Sequence, residues 1–115
     1  MSRLITKRAK YEAPRDIRFP LSRRGELLHE NERFPCLIQD ISLGGIFGIC
    51  ARDLVAGQKL NVKFELDPGH LHQCSIQIQH VAHGCFGAKI VNVGEIEHKV
   101  FLQYIDQCFK EMKRR

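Results

Sequence analysis

The stretch "QKLNVKFELDPGHLHQCSIQIQ", Gln58 to Gln79, decides the fold. Leu60, Val62, Phe64 and Leu66 alternate with Lys59, Asn61, Lys63 and Glu65. That period of two belongs to a strand with one buried face and one wet face. Asp67-Pro68-Gly69 then turns the chain, because Pro presets φ and Gly accepts a positive φ. Beyond the turn, Cys74, Ile76 and Ile78 alternate with Gln73, Ser75, Gln77 and Gln79. Two alternating runs joined by a tight turn form an antiparallel hairpin.

The same pattern extends in both directions. The second run continues to His83, His83-Gly84 makes another turn, and "CFGAKIVNV" (Cys85–Val93) follows as a last strand. Upstream, "GELLHE" (Gly25–Glu30), "RFPCLIQDI" (Arg33–Ile41) and "GIFGIC" (Gly45–Cys50) are three further strands. Six short strands with tight turns imply an antiparallel sandwich or a small closed barrel. No βαβ alternation and no repeat of solenoid length is visible. The end of the chain changes period. Ile96, Val100, Phe101, Tyr104, Ile105, Cys108, Phe109 and Met112 fall on one helical stripe over about residues 95–113. Glu95 and Glu97 open that helix and Lys110, Lys113, Arg114 and Arg115 close it, which suits the helix dipole. Such a helix is expected to pack across one open end of the barrel, with docking to a partner or to a second copy as the other use.

A chain of 115 residues fits one domain. With 43% hydrophobic and 27% charged residues, it has the composition of a folded protein and not of a disordered one. No apolar run approaches the roughly 20 residues of a membrane span, and "MSRLITKRAKYEAPRD" lacks a secretory apolar segment. Cys36, Cys50, Cys74, Cys85 and Cys108 are odd in number, form no CxxC pair and mostly fall in apolar runs. They are expected to be reduced, mostly buried thiols of a cytoplasmic protein.

The net charge of +5 is unevenly placed. Arg3, Lys7, Arg8, Lys10, Arg15, Arg18, Arg23 and Arg24 face only Glu12 and Asp16 across the first 24 residues, while the remainder is close to neutral. Residues 1–20 therefore look like a flexible basic arm, punctuated by Pro14 and Pro20, ahead of a barrel domain over 21–115. An arm of this charge suits an anionic partner, or simply keeps the protein soluble. Other chemistries find less support. His70, His72 and Cys74 alternate along one strand face, but at no zinc-binding spacing and in phase with Ile76 and Ile78, so no metal is expected. No Cys is tied to a His with an orienting acid, and no glycine-rich loop opens a helix, so no enzyme is expected. Phe64, Phe101, Tyr104 and Phe109 read as core, which leaves few platforms for a single-stranded nucleic acid.

"DISLGG" (Asp40–Gly45) stands between two core-like strands. In an extended backbone Asp40 and Ser42 point the same way, and Gly44 and Gly45 allow a ligand close to the backbone. Asp and Ser capping a glycine turn is the other use of these residues. Upstream lies "PRDIRFP", with Arg15 and Arg18. With the order basic arm, barrel strands, D-x-S-x-x-G and closing helix, the sequence resembles a PilZ domain, the bacterial receptor module for cyclic di-GMP.

The resemblance runs from about Pro14 to the C-terminal helix. It implies a mainly β fold, a six-stranded antiparallel barrel with a C-terminal helix. It also implies cyclic di-GMP as ligand, held by Arg15 and Arg18 from a closing loop and by Asp40, Ser42 and Gly45 from the barrel. The signal would pass to a protein effector in motility, pili, biofilm or polysaccharide production, from a monomer or weak dimer. The family carries RxxxR in its arginine loop, whereas this chain has Pro14 four residues before Arg18 and reads R-x-x-R. Arg15 substitutes if the loop shifts by one residue, and Arg8, Arg23 and Arg24 are other sources of a guanidinium. The alternative is a degenerate adaptor that binds no nucleotide and works through protein contacts.

Overall fold

The computed structural model describes residues 17–114. Six antiparallel strands, β1 (Phe19–His29), β2 (Glu32–Ile41), β3 (Gly45–Ile49), β4 (Lys59–Asp67), β5 (His70–Ala82) and β6 (Cys85–Val93), precede one helix, α1 (Glu95–Lys113). The sheet order is β1-β2-β3-β6-β5-β4, and β4 pairs back onto β1 to close a barrel. Closure pairs the two edge strands over Gly25–Leu28 and leaves only the first half of β1 without a neighbour on that flank.

The hairpin read first behaves as its alternation requires. Leu60, Val62, Phe64 and Leu66 point inward; the first three pair with Ile76, Cys74 and His72 of β5, Leu66 falls at a register shift, and Ile78 extends that wall. Gly69 takes φ 82 in the turn. The largest departure from the sequence expectation is β1, which begins at Phe19 and not at Gly25. Its first half contains Pro20, two arginines and an irregularity at Ser22, which takes φ 54, so no clean alternation shows. Pro20 is tolerated because β1 meets β4 only over Gly25–Leu28, which leaves the other flank of Pro20 without a ladder to break. Phe19 is buried in the core and Ile17 packs against it, so part of the segment assigned to the basic arm belongs to the barrel.

The helix packs on β1 and β5. Phe101 and Ile105 are fully buried in the barrel core, while Val100, Tyr104, Cys108 and Phe109 pack around them. The stripe is shorter than its sequence: Ile96 and Met112 are 79% and 46% exposed, at the two ends of the contact. Asp106 is buried and pairs with Lys110 one turn on, at 3.0 Å.

Between barrel and helix lies a histidine with no polar partner. The His72 ring sits 5.3 Å from Phe64 and 5.2 Å from Phe101, centroid to centroid. It is fully buried, and neither of its nitrogens makes a hydrogen bond. Burial pushes its pKa below the ordinary 6.5; Glu97 pulls the other way, and His70 and His98 add to the lowering. The folded state therefore takes up this proton less readily than the unfolded chain. Stability from neutral His72 is complete above pH 6.5 and is lost as pH falls from there toward the lowered value. Thermal melts are expected to show the midpoint dropping between about pH 7 and about pH 5 in the wild type, and dropping much less in His72→Phe. Equal pH slopes would show that His72 is not the group responsible.

Five free thiols are present. Cys36, Cys50 and Cys74 are buried, Cys108 is intermediate, and Cys85 is exposed at the start of β6. Burial drives the thiols of Cys36 and Cys74 up to about 12. Thiolate, not thiol, is the reacting form. In native protein at neutral pH, a thiol reagent with peptide mapping should label Cys85 rapidly and leave Cys36 and Cys74 unlabelled until the fold is denatured.

Candidate functional site

The β2–β3 hairpin builds the site. Ile38 and Ile41 are both fully buried although they stand three residues apart. Gln39 is the extra residue between them. Ile38 pairs with Gly48 and Asp40 with Phe47, which leaves Gln39 without a counterpart on β3. A bulge of this kind re-aims the side chains that follow it. Here it turns Asp40 to the outer face while Ile41 returns to the core. β5 does the same with Gln79: Ile78 pairs with Ala88 and His80 with Gly87. One lateral row then crosses five strands, Pro20, Asp40, Phe47, Gly87 and His80.

The turn itself is tight. The Ser42 amide donates to the Gly45 carbonyl at 2.9 Å, and the Gly45 amide donates to the Ser42 hydroxyl oxygen at 3.1 Å. Ser42 is 4% exposed, so its oxygen closes the turn as well as lining the cleft beside it. Gly45 is required by packing. A methyl group there would overlap the Ala88 carbonyl oxygen of β6.

Arg18 reaches across β2. Its guanidinium carbon lies 3.7 Å above the centre of the Phe47 ring, and its Nη1 is 4.0 Å from the Asp40 carboxylate. The Arg18 side chain is 53% exposed, so the ion pair at that distance contributes little. Stacking on Phe47, worth about 0.5–1 kcal/mol at an exposed site, matters at least as much for holding the guanidinium. The outer face of the guanidinium remains available. Next to it a cleft of about 350 Å³ runs over Gly44, Gly45, Gly87 and Ala88, walled by Phe47, Gln79, His80 and Lys89.

Four of the expected site residues, Arg18, Asp40, Ser42 and Gly45, meet at this place. Arg15 lies outside the described residues, as does Arg8. Arg23 is turned away: it pairs with the inward-facing Ile38, its Nη1 donates to the Leu21 carbonyl at 3.3 Å, and its Nε is buried. Phe47, His80 and Lys89 are additions. Phe47 was legible, two residues after Gly45 on one strand face. His80 was not, because its place depends on the Gln79 bulge and the β5–β6 register. Among the described residues, no cluster of His, Cys, Asp and Glu is arranged to hold a metal ion.

The PilZ domain family profile matches residues 9–107. The chain belongs to the PilZ family. Solved structures agree on the fold. The Bacillus subtilis inhibitor of motility, MotI/DgrA, superposes with a TM-score of 0.69 at 15% identity, over 86% of this chain and 50% of its own. YcgR of Escherichia coli in complex with cyclic di-GMP gives 0.68 at 16% identity, over 85% of this chain and 46% of its own. This PilZ chain thus spans about half the length of those two proteins. The isolated PilZ domain of YcgR with cyclic di-GMP gives 0.66 at 15% identity, over 90% of this chain and 95% of its own. A search of curated proteins by sequence finds no match.

The packing of this PilZ hairpin gives a direct test. Gly45→Ala forces β3 and β6 apart at the Ala88 carbonyl. It is expected to lower unfolding free energy by about 1–3 kcal/mol in urea titration. An unchanged midpoint would show that the two strands separate at no cost.

Proposed function

We propose that the protein is a cyclic di-GMP receptor that binds the dinucleotide against the outer face of the barrel and passes the signal to a protein partner. The observation that carries this reading is the placement of Arg18, stacked on Phe47 beside Asp40, at the mouth of a cleft floored by glycine. An exposed guanidinium face and its N–H fork suit guanine O6 and N7, a phosphate, or the flat side of a base. Asp40 accepts from guanine N–H donors or orients Arg18. Gly44 and Gly45 let a base lie against backbone. Arg15, three residues before Arg18, supplies the second guanidinium from the segment leading into β1. Membership of the PilZ family, and the cyclic di-GMP bound in the two YcgR structures, support the choice of ligand.

In this reading the protein is a binding module and not an enzyme. It acts in the cytoplasm, as a monomer or weak dimer, on an effector of motility, biofilm or polysaccharide production. Among the described residues, no helix is long and apolar enough to cross a membrane. The second reading, an adaptor that binds no nucleotide, rests on one observation: the R-x-x-R spacing of Arg15 and Arg18 where the family has RxxxR.

Isothermal titration with cyclic di-GMP, with GTP as control, separates the two. Micromolar or tighter binding is expected in the wild type. Arg18→Ala and Asp40→Ala should each weaken it about tenfold, roughly 1.5 kcal/mol for a charge-assisted contact. A comparable loss in Arg15→Ala would assign the second guanidinium. A wild type that is folded by circular dichroism yet releases no heat would leave the adaptor reading standing.

A further inference from the structure

His72 breaks the pattern of its own strand face. Cys74, Ile76 and Ile78, in phase with it, are apolar, whereas His72 carries two ring nitrogens into the same core. Both are buried without a hydrogen-bond partner. The residue is 0% exposed and stands where β5 meets α1, between Phe64 and Phe101. A neutral imidazole holds this seat at the cost of one unmatched donor and one unmatched acceptor. An imidazolium brings a charge and two donors to a place that offers ring faces and no acceptor, which costs far more.

Among the described residues, the charged groups around the ring supply no partner. On α1, Glu97 favours the charged ring and His98 opposes it; on β5, His70 opposes it. The Glu97 carboxylate already accepts from the Gln73 amide at 3.1 Å. β4 faces the ring with Phe64, and its Lys63 and Glu65 alternate to the other side of the strand. His70 adds a second ring nitrogen, Nε2, that is buried and makes no hydrogen bond.

The helix can relieve that charge without disturbing the sheet. The barrel closes by strand pairing alone, and α1 follows β6 as a separate element. α1 starts after Gly94, where no side chain caps the helix, and it is held by the burial of Phe101 and Ile105 together with the Gln73–Glu97 bond. Lifting α1 gives His72 water on one side and breaks no strand ladder. An element that closes on a preformed core in this way opens on its own, at a lower free energy than global unfolding.

We propose that His72 is a proton-operated latch for α1: protonation of its ring releases the helix from the end of the barrel while the six strands stay paired. Release bares Phe101 and Ile105 together with the barrel end they cover. The latch works without a ligand at the Asp40–Gly45 turn, so it stands apart from the receptor reading. One proton is involved, so the opening equilibrium rises by at most about tenfold per pH unit. The rise begins near the ordinary value of 6.5 and ends at the lowered value of the docked ring.

Amide hydrogen exchange of the full chain, followed by NMR between about pH 7.5 and about pH 5 and corrected for intrinsic rates, reads this opening residue by residue. Protection of α1 amides is expected to fall roughly threefold to tenfold per pH unit below about pH 6.5, while amides paired between β2, β3 and β6 keep theirs. His72→Phe, which keeps a ring but takes no proton, should abolish the α1 slope. His70→Gln and His98→Gln should keep most of it. Fluorescence of an apolar dye, anilinonaphthalene sulfonate, should rise over the same range in the wild type and not in His72→Phe. If α1 and barrel amides lose protection together with one slope, acid acts on the whole fold and the latch is overturned. Flat α1 protection in the wild type, or a slope that survives in His72→Phe, overturns it as well. Should His72→Phe fail to fold, His72→Leu takes its place, and the comparison of α1 with barrel amides in the wild type still decides between local release and global unfolding.

Discussion

Gln39 is one residue more than its neighbouring strand can match, and the site depends on that surplus. Ile38 and Ile41 must both face inward, because each is fully buried in a small barrel core. Strict alternation cannot place two residues three apart on one face. The bulge resolves the conflict. It leaves Gln39 unpaired, brings Asp40 outward, and returns Ile41 to the core immediately before the turn. The extra residues on β1 and β5 repeat the device across the sheet. Barrel closure needs such local increases in twist, and here they also decide which side chains stand on the outer row of Asp40, Phe47 and His80.

Glycine does the complementary work. The outer face of β3 and β6 lacks side chains at Gly45 and Gly87, so the backbone itself forms the cleft floor. At Gly45 the missing side chain lets β6 approach. At Gly87 it makes room for a ring from β5. The two absences leave a shallow bare patch flanked by Phe47 and His80. Flat surfaces beside bare backbone suit planar ligands, and Arg18 on Phe47 adds charge without filling the cleft. Among the described residues that guanidinium is held by a ring and a distant carboxylate, not by a close bidentate pair.

Much of this was legible in the sequence where one period dominated. β4, and β5 as far as Ile78, follow their alternation closely, and α1 follows its stripe except at Ile96 and Met112, which lie at the two ends of its contact. Asp40, Ser42 and Gly45 were legible as a motif between two strands, and Arg18 by its distance from them. The first half of β1 was hidden because Ser22 breaks the period and Pro20 argues locally against a strand. His80 was hidden for a related reason. A bulge changes the facing of every residue after it, and which residue is the surplus one depends on the partner strand. The spacing of Ile38 and Ile41 carried a local sign of such a break, whereas the run Ile76, Ile78, Gln79, His80 carried none.

The turn that closes the motif has a second face. Ser42 lines the cleft, while Leu43, the next residue, packs against the core and lines a cavity with Val93 and His98, the latter on α1. Ser42 and Gly45 are locked to each other by backbone bonds and by the Ser42 hydroxyl, so the turn moves as a unit. Leu43 thereby ties this turn to the region where α1 begins. The helix in turn is seated through Phe101 on His72, and its first turn is tied to β5 by the Gln73 amide, which donates to the Glu97 carboxylate at 3.1 Å. The apolar contact is non-directional, and the hydrogen bond supplies the direction. The barrel thus joins a hydrogen-bonded turn beside the cleft to a helix that is fixed both by apolar burial and by one backbone bond to β5.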